Sequence, residues 1–210
     1  MKVLLINGSP NEKGCTYTAL CEIAKSLNEE NIDTEIFHIG NKPIRGCIGC
    51  RACANTQPKK CIFNDDTVNV ALEKAKDADG FIFGSPVHYA AASGAITSFL
   101  DRAFYAGKQY FEYKPGAAIV SCRRAGSTAA LEQLNKYFTI SNMPLVSSQY
   151  WNMVHGNTPK EVVQDLEGMQ IMRTLGKNMA WILKCINIGQ ANGINIPIGE
   201  NKVQTNFIRK

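Results

Sequence analysis

Short runs that are apolar at every position, each closing on Gly or Ser and each followed by a helical stripe, constrain this chain more than any other feature. The run KVLLI at 2–6 leads into a glycine-bearing loop, and residues 16–27 then carry apolar side chains at 19, 20, 23, 24 and 27, the spacing of one helical face. TEIFHI at 34–39 predicts a second strand, and Asp66 predicts the cap of a helix reaching Lys76. GFIFG at 80–84 predicts a third strand, followed by a long loop and a helix over 95–104. GAAIVS at 116–121 is a fourth, followed by a helix over 127–138, and PLVSS at 144–148 a weaker fifth. A longer helix over 168–186 closes the pattern. Strands that are apolar throughout are buried on both faces, as in a parallel sheet with helices on each side.

The expected fold is therefore α/β: a flavodoxin-like, doubly wound, five-stranded parallel sheet in the order 2-1-3-4-5. At 210 residues with 45% apolar composition the chain reads as one domain over 1–188, with a cysteine-rich loop at 47–61. An extended C-terminal tail follows over 189–210. The tail has no helical or strand period yet carries Ile194, Ile196, Ile198, Val203, Phe207 and Ile208. Apolar residues in an extended tail need a surface to cover, which predicts a homodimer or homotetramer. The start, MKVLLINGSP, lacks the apolar length of a secretory signal, and MAWILKCINIG is broken by Lys184. No membrane association and a cytoplasmic location are the expectations. Net charge is +5, but the basic residues are scattered, so no nucleic-acid partner is expected.

In this strand order the ends of the first and third strands flank the crevice where open α/β sheets bind ligands. Those ends read NGSP and FGSP. In GSPNEKGCT, residues 8–16, Gly8 and Gly14 permit a tight turn, Ser9 and Thr16 carry hydroxyls, and the loop feeds straight into a helix whose first amides favour a phosphate. Cys15-Thr16 after the second Gly departs from an ATPase loop, and the three-glycine dinucleotide fingerprint is absent. The second loop, 84–95, sets His88 and Tyr89 beside small residues, with Pro86 and Val87 offering backbone groups to the edge of a flat ring. A third turn, SCRRAGS at 121–127, puts Arg123 or Arg124 on the same rim, where either meets negative charge. One loop shaped for phosphate and one for a flat ring point to a mononucleotide-like cofactor.

The segments NGSPNEKGCT, ADGFIFGSPVHYAAASGAITSFLDR, KPGAAIVSCRRAGS and TNFIR together resemble the NADPH-dependent FMN reductase family, specifically its iron-sulfur flavoprotein branch, over nearly the whole chain. The resemblance implies that Ser9, Asn11, Gly14, Cys15 and Thr16 wrap the FMN phosphate. It implies that Pro86, Val87, His88 and Tyr89 line the isoalloxazine, with Arg123 to Gly126 near the ring's other side. His88 stands where Tyr is the more usual residue. The implied activity is hydride transfer from NAD(P)H to FMN and onward to a small-molecule electron acceptor such as a quinone or free flavin. His88 or Tyr89 is placed to supply a proton. The alternative implied role is an electron carrier between protein partners, such as a ferredoxin-like redox protein, with little NAD(P)H turnover.

Four of the eight cysteines, Cys47, Cys50, Cys53 and Cys61, fall within CIGCRACANTQPKKC, spaced C-x2-C-x2-C-x7-C. In a reducing compartment such spacing favours metal binding or redox chemistry over disulfides. Zinc ribbons present two separate knuckles a dozen or more residues apart, whereas three cysteines at successive x2 spacings and a nearby fourth suit the corners of an iron-sulfur cubane. The resemblance implies a [4Fe-4S] cluster exchanging electrons with FMN. A cluster and a set of free thiols both remain open. Cys15, Cys21, Cys122 and Cys185 are expected to pack as small apolar residues.

Overall fold

The computed structural model describes residues 1–201, 203–205 and 207. Five strands, β1 (Lys2–Asn7), β2 (Asp33–His38), β3 (Gly80–His88), β5 (Gly116–Cys122) and β6 (Met153–His155), lie parallel in the order β2-β1-β3-β5-β6. The two-residue β4 (Ala91–Ala92) pairs antiparallel with the end of β3. Apart from β4, this is the expected 2-1-3-4-5 topology.

The helices are α1 (Cys15–Glu29), α2 (Val68–Lys76), α3 (Gly94–Gly107), α4 (Ser127–Thr139), α5 (Pro159–Gln164) and α6 (Leu166–Ala191). They explain why β1, β3 and β5 are apolar along nearly their whole length. Leu4, Ile6, Phe81, Phe83, Ala118 and Val120 face one core, built with α2, α3 and α4. Val3, Leu5, Ile82, Ala117 and Ile119 face the other, built with α1, α5 and α6. Successive strand side chains point to opposite faces, so both faces need apolar residues when both are covered. The first core is stacked with aromatics: Phe83 lies 5.7 Å from Phe138 and 5.8 Å from Phe104 between ring centroids, and Phe104 lies 4.5 Å from Phe111.

Three sequence expectations are corrected. PLVSS does not form the fifth strand: it makes an isolated bridge, Gly116 opposite Leu145, with the Gly116 amide donating to the Pro144 carbonyl at 2.9 Å. The chain then loops outward before β6 takes the edge position. Residues 84–95 are not one loop, because β3 runs on to His88 and returns as β4. The last helix extends to Ala191, so the tail begins later than residue 189. Ile194, Ile196, Ile198, Val203 and Phe207 are exposed, while Ile208 lies outside the described residues. Among the described residues no helix is long and apolar enough to cross a membrane.

Candidate functional site

The strand register brings the expected loops together. Asn7 lies beside His38 on one side and Gly84 on the other, Pro86 beside Ser121, and Cys122 beside His155. The loops leaving β1, β3 and β5 therefore share one rim. Buried Asn7 shapes the first of them: its Oδ1 accepts from the Ser9 amide at 3.1 Å and its Nδ2 donates to the Glu12 carbonyl at 2.9 Å. Ser9 Oγ accepts from the Asn11 amide at 3.1 Å, the Gly14 amide donates to the Asn11 carbonyl at 3.2 Å, and His38 Nε2 lies 2.7 Å from the Ser9 carbonyl. Gly14 then starts α1 without a side-chain cap. Among the described residues the amides of Cys15, Thr16 and Tyr17 donate to no protein acceptor. Free N–H groups at the positive end of a helix dipole suit a phosphate.

The two hydroxyls of this loop are placed differently. Ser9 Oγ accepts one bond and keeps its own proton free to donate. Thr16 is buried, and its Oγ1 lies 2.8 Å from Ser121 Oγ. The Thr16 hydroxyl thus joins α1 to β5; where Ser121 is the donor of that bond, the Thr16 proton, like its backbone amide, stays available to an anion.

Three glycines let the loops close on one another. A Cβ at Gly8 would stand 2.7 Å from Ile96, one at Gly84 2.7 Å from Thr16 Cγ2, and one at Gly126 2.5 Å from the Ala90 Cα. Hydrogen bonds hold the same contacts: the Gly8 amide donates to the Gly84 carbonyl at 2.8 Å, and Ser93 Oγ donates to the Gly8 carbonyl at 3.0 Å. The β3–β4 hairpin turns on Tyr89 and Ala90, at φ +49 and +61. Two successive positive φ values match the twist of a tight hairpin, here without the glycine that usually relieves them. Pro86 and Val87 are half-buried, and His88, Tyr89 and Arg123 are exposed. Gly126, at φ +87, lies under Ala90, so the Arg123–Gly126 turn abuts the hairpin. We expect Gly126→Ala to lower stability by about 1–3 kcal/mol through overpacking against Ala90. A thermal melt checks the loss, and a parallel fall in flavin retention would tie it to the rim.

Burial pushes the Cys15 and Cys122 thiols up, so both stay protonated at neutral pH. Cys122 is buried and Cys15 and Cys21 half-buried, whereas Cys185 is exposed, contrary to its sequence-based reading as a packed residue.

The other four cysteines lie in the excursion between β2 and α2, which holds one short 3-10 turn, Ala52–Asn55. Cys47, Cys50, Cys53 and Cys61 line a single cavity together with Phe63, Arg102 and Tyr105. Burial pushes the Cys53 thiol up, and the neighbouring Cys61, Cys50 and Cys47 add to the effect. Among the described residues no three Cys, His, Asp or Glu side chains are grouped to hold a metal ion. The four thiols nonetheless line one space, and cysteine thiolates are the ligand type that holds iron-sulfur clusters.

Side chains that the sequence reading passed over anchor this excursion. Asn69 is buried at the start of α2: its Oδ1 accepts from the Cys61 amide at 2.8 Å, and its Nδ2 donates to the carbonyls of Cys61 and Phe63 at 2.9 and 3.0 Å. Arg102, on α3, donates to Cys61 Sγ and pairs with Asp66. Thr67 Oγ1 closes the base by donating to the Ile39 carbonyl at 2.9 Å.

The NADPH-dependent FMN reductase family model matches residues 1–158. An iron-sulfur flavoprotein of Methanocaldococcus jannaschii is 33% identical over 194 residues, covering 89% of this chain and 99% of that protein. An iron-sulfur flavoprotein of Archaeoglobus fulgidus is 30% identical over 177 residues, covering 82% of this chain and 86% of that protein. Among solved structures, a flavodoxin from the domain Archaea superposes with a TM-score of 0.58 at 17% identity, covering 88% of this chain and 99% of that one, a likeness of fold. The chain thus belongs to the NADPH-dependent FMN reductase family, in its iron-sulfur flavoprotein branch, and is a flavin-dependent oxidoreductase or electron carrier that uses FMN.

Proposed function

We propose that this protein is an FMN-dependent NAD(P)H oxidoreductase that passes electrons to a quinone, a flavin or another small acceptor, with a [4Fe-4S] cluster on Cys47, Cys50, Cys53 and Cys61 as its one-electron outlet. The observation that carries the reading is the pairing of two sites in one chain: three free amides at the start of α1 beneath the β3 hairpin, and four cysteines around one cavity against α3. FMN, when bound, accepts a hydride and releases electrons singly or in pairs, so the protein's task is to bind, orient and tune it.

In this reading the amides of Cys15, Thr16 and Tyr17 and the Ser9 hydroxyl hold the phosphate. Pro86 and Val87 form the wall beside the ring. The exposed His88 and Tyr89 stand at its lip, where a proton reaches a reduced acceptor. A single nucleotide phosphate fits the one phosphate loop, which favours FMN over a dinucleotide flavin. Replacing Ser9 with Ala should weaken FMN binding by about 1.5–3 kcal/mol, the worth of a hydrogen bond to a charged group. Fluorescence titration of apoprotein measures this, and unchanged affinity would move the phosphate elsewhere.

The reading as a whole is tested by one absorbance spectrum of anaerobically purified protein, with iron, acid-labile sulfide and released flavin assayed on the same sample. Stoichiometric FMN without iron or sulfide, even after reconstitution, leaves a simple flavin reductase. A second reading, a carrier serving a ferredoxin-like protein, is favoured by one feature: Cys47 and Cys50 are exposed and flanked by exposed Ile48 and Ile62, a surface open to a protein partner. Flavin reducible by ferredoxin but with negligible NAD(P)H turnover would select it. The exposed apolar side chains after α6 further support a homodimer or homotetramer; a monomer mass in light scattering would rule assembly out.

A further inference from the structure

Arg102 lies in the third turn of α3 with its side chain wholly buried. Every group it reaches belongs to the excursion that carries the cysteines. Nε donates to Cys61 Sγ at 3.2 Å, Nη1 to the Arg45 carbonyl at 3.2 Å and to the Asp66 carboxylate, and Nη2 to the Phe63 carbonyl at 3.1 Å. The Arg45 guanidinium also stacks over Phe63, 4.5 Å from the ring centroid. One planar fork therefore joins both ends of the excursion, a geometry that a lysine ammonium does not reproduce.

A buried cation is costly unless paired, and Asp66, itself almost fully buried, supplies the counter-charge. That pairing does not require the fourth contact. Nε is aimed at sulfur, and a protonated thiol is a weak acceptor. Toward a thiolate the same contact becomes a charge-assisted hydrogen bond, about twice as strong as a neutral one. A cysteine bound to iron is such a thiolate, and Nε already points at the Cys61 sulfur.

We propose that Arg102 is a positioning residue for the cysteine site: it fixes the direction of Cys61 Sγ toward the cavity and, through its N–H and charge, raises the reduction potential of the iron-sulfur centre held there. This rests on the cluster reading above. Reduction adds negative charge to a cluster, so a donor and a cation at one ligand sulfur stabilise the reduced form over the oxidised one. Cys47 and Cys50 are exposed, whereas Cys53 and Cys61 are half-buried; of these two, Cys61 is the one that accepts from a buried cation.

The test compares anaerobically purified wild type with Arg102→Lys and with the charge-neutral double variant Arg102→Met/Asp66→Asn, which leaves no unpaired buried ion. Iron and sulfide per chain, FMN content and circular dichroism are measured, and the cluster is titrated with dithionite under EPR. In the double variant, where it keeps its iron, the ratio of reduced to oxidised cluster at a fixed ambient potential should fall about tenfold, a shift of about 59 mV for one electron, with the Lys variant between it and the wild type. FMN content should match the wild type. Loss of iron with FMN and dichroism intact supports the positioning role equally. Wild-type iron content with an unshifted potential in either variant overturns the inference while leaving the cluster in place. So does a loss of FMN and dichroism in both variants, which makes Arg102 a residue of the fold alone. Wild type without iron or sulfide overturns the cluster reading itself.

Discussion

Asp66→Ala is expected to be less stable than the wild type by about 3–5 kcal/mol, because removing one partner of a buried ion pair strands the other in the interior. The Arg102 and Asp66 side chains are 0% and 5% exposed, so water cannot take the place of the lost carboxylate. The same carboxylate accepts from the Val68 amide at 3.1 Å through its other oxygen, so the start of α2 loosens as well. In a chain of this size each kcal/mol moves the melting temperature by roughly 2–4 °C, which makes the loss easy to read in a thermal scan. Asp66→Asn keeps an acceptor for Val68 and should fall between. A change below about 1 kcal/mol in the alanine variant would mean that the excursion is not held by this pair.

The second large effect is spectroscopic. Cys50→Ala should abolish the broad visible absorption of the cluster, keep the flavin bands, and spare FMN-dependent NAD(P)H oxidation more than one-electron transfer. Cys50 is exposed, and the contacts anchoring the excursion run through Asn69, Thr67 and Arg102 instead. The substitution should therefore remove a ligand without unfolding the loop. A spectrum identical to wild type, at equal iron content, would show that Cys50 is not a ligand.

Much of this architecture is legible in the sequence, because strands covered on both faces must be apolar nearly throughout, and the three central ones, β1, β3 and β5, are. β6 is not legible: three residues, MVH, give too short a run, while Val146, buried in the longer PLVSS, imitates a strand core. In sequence the β3–β4 hairpin reads as a loop, because Tyr89-Ala90 lacks the Gly or Asn that normally announces such a turn. The sequence predicts the last helix over 168–186, yet α6 runs on to Ala191. At the site, the tight turn between β1 and α1 is legible from Gly8 and Gly14. The partner of the Thr16 hydroxyl is not, since Ser121 lies 105 residues away. Asp66 read correctly as a helix-start acceptor, but its pairing with Arg102, and the grip of Asn69 on Cys61, exist only once α2 and α3 pack side by side. In sequence, Arg102 and Asn69 are ordinary polar residues of amphipathic helices.

The close contacts at Gly8, Gly84 and Gly126 bear on how long a ligand stays. Loops that meet with no room for a Cβ are already assembled when the ligand arrives, so little ordering entropy is lost on binding. Affinity differences among related complexes reside mostly in departure rather than arrival. On the proposed reading, a rim closed in this way predicts that FMN stays with the protein through dilution and gel filtration, as a resident group rather than a substrate exchanged at each turnover.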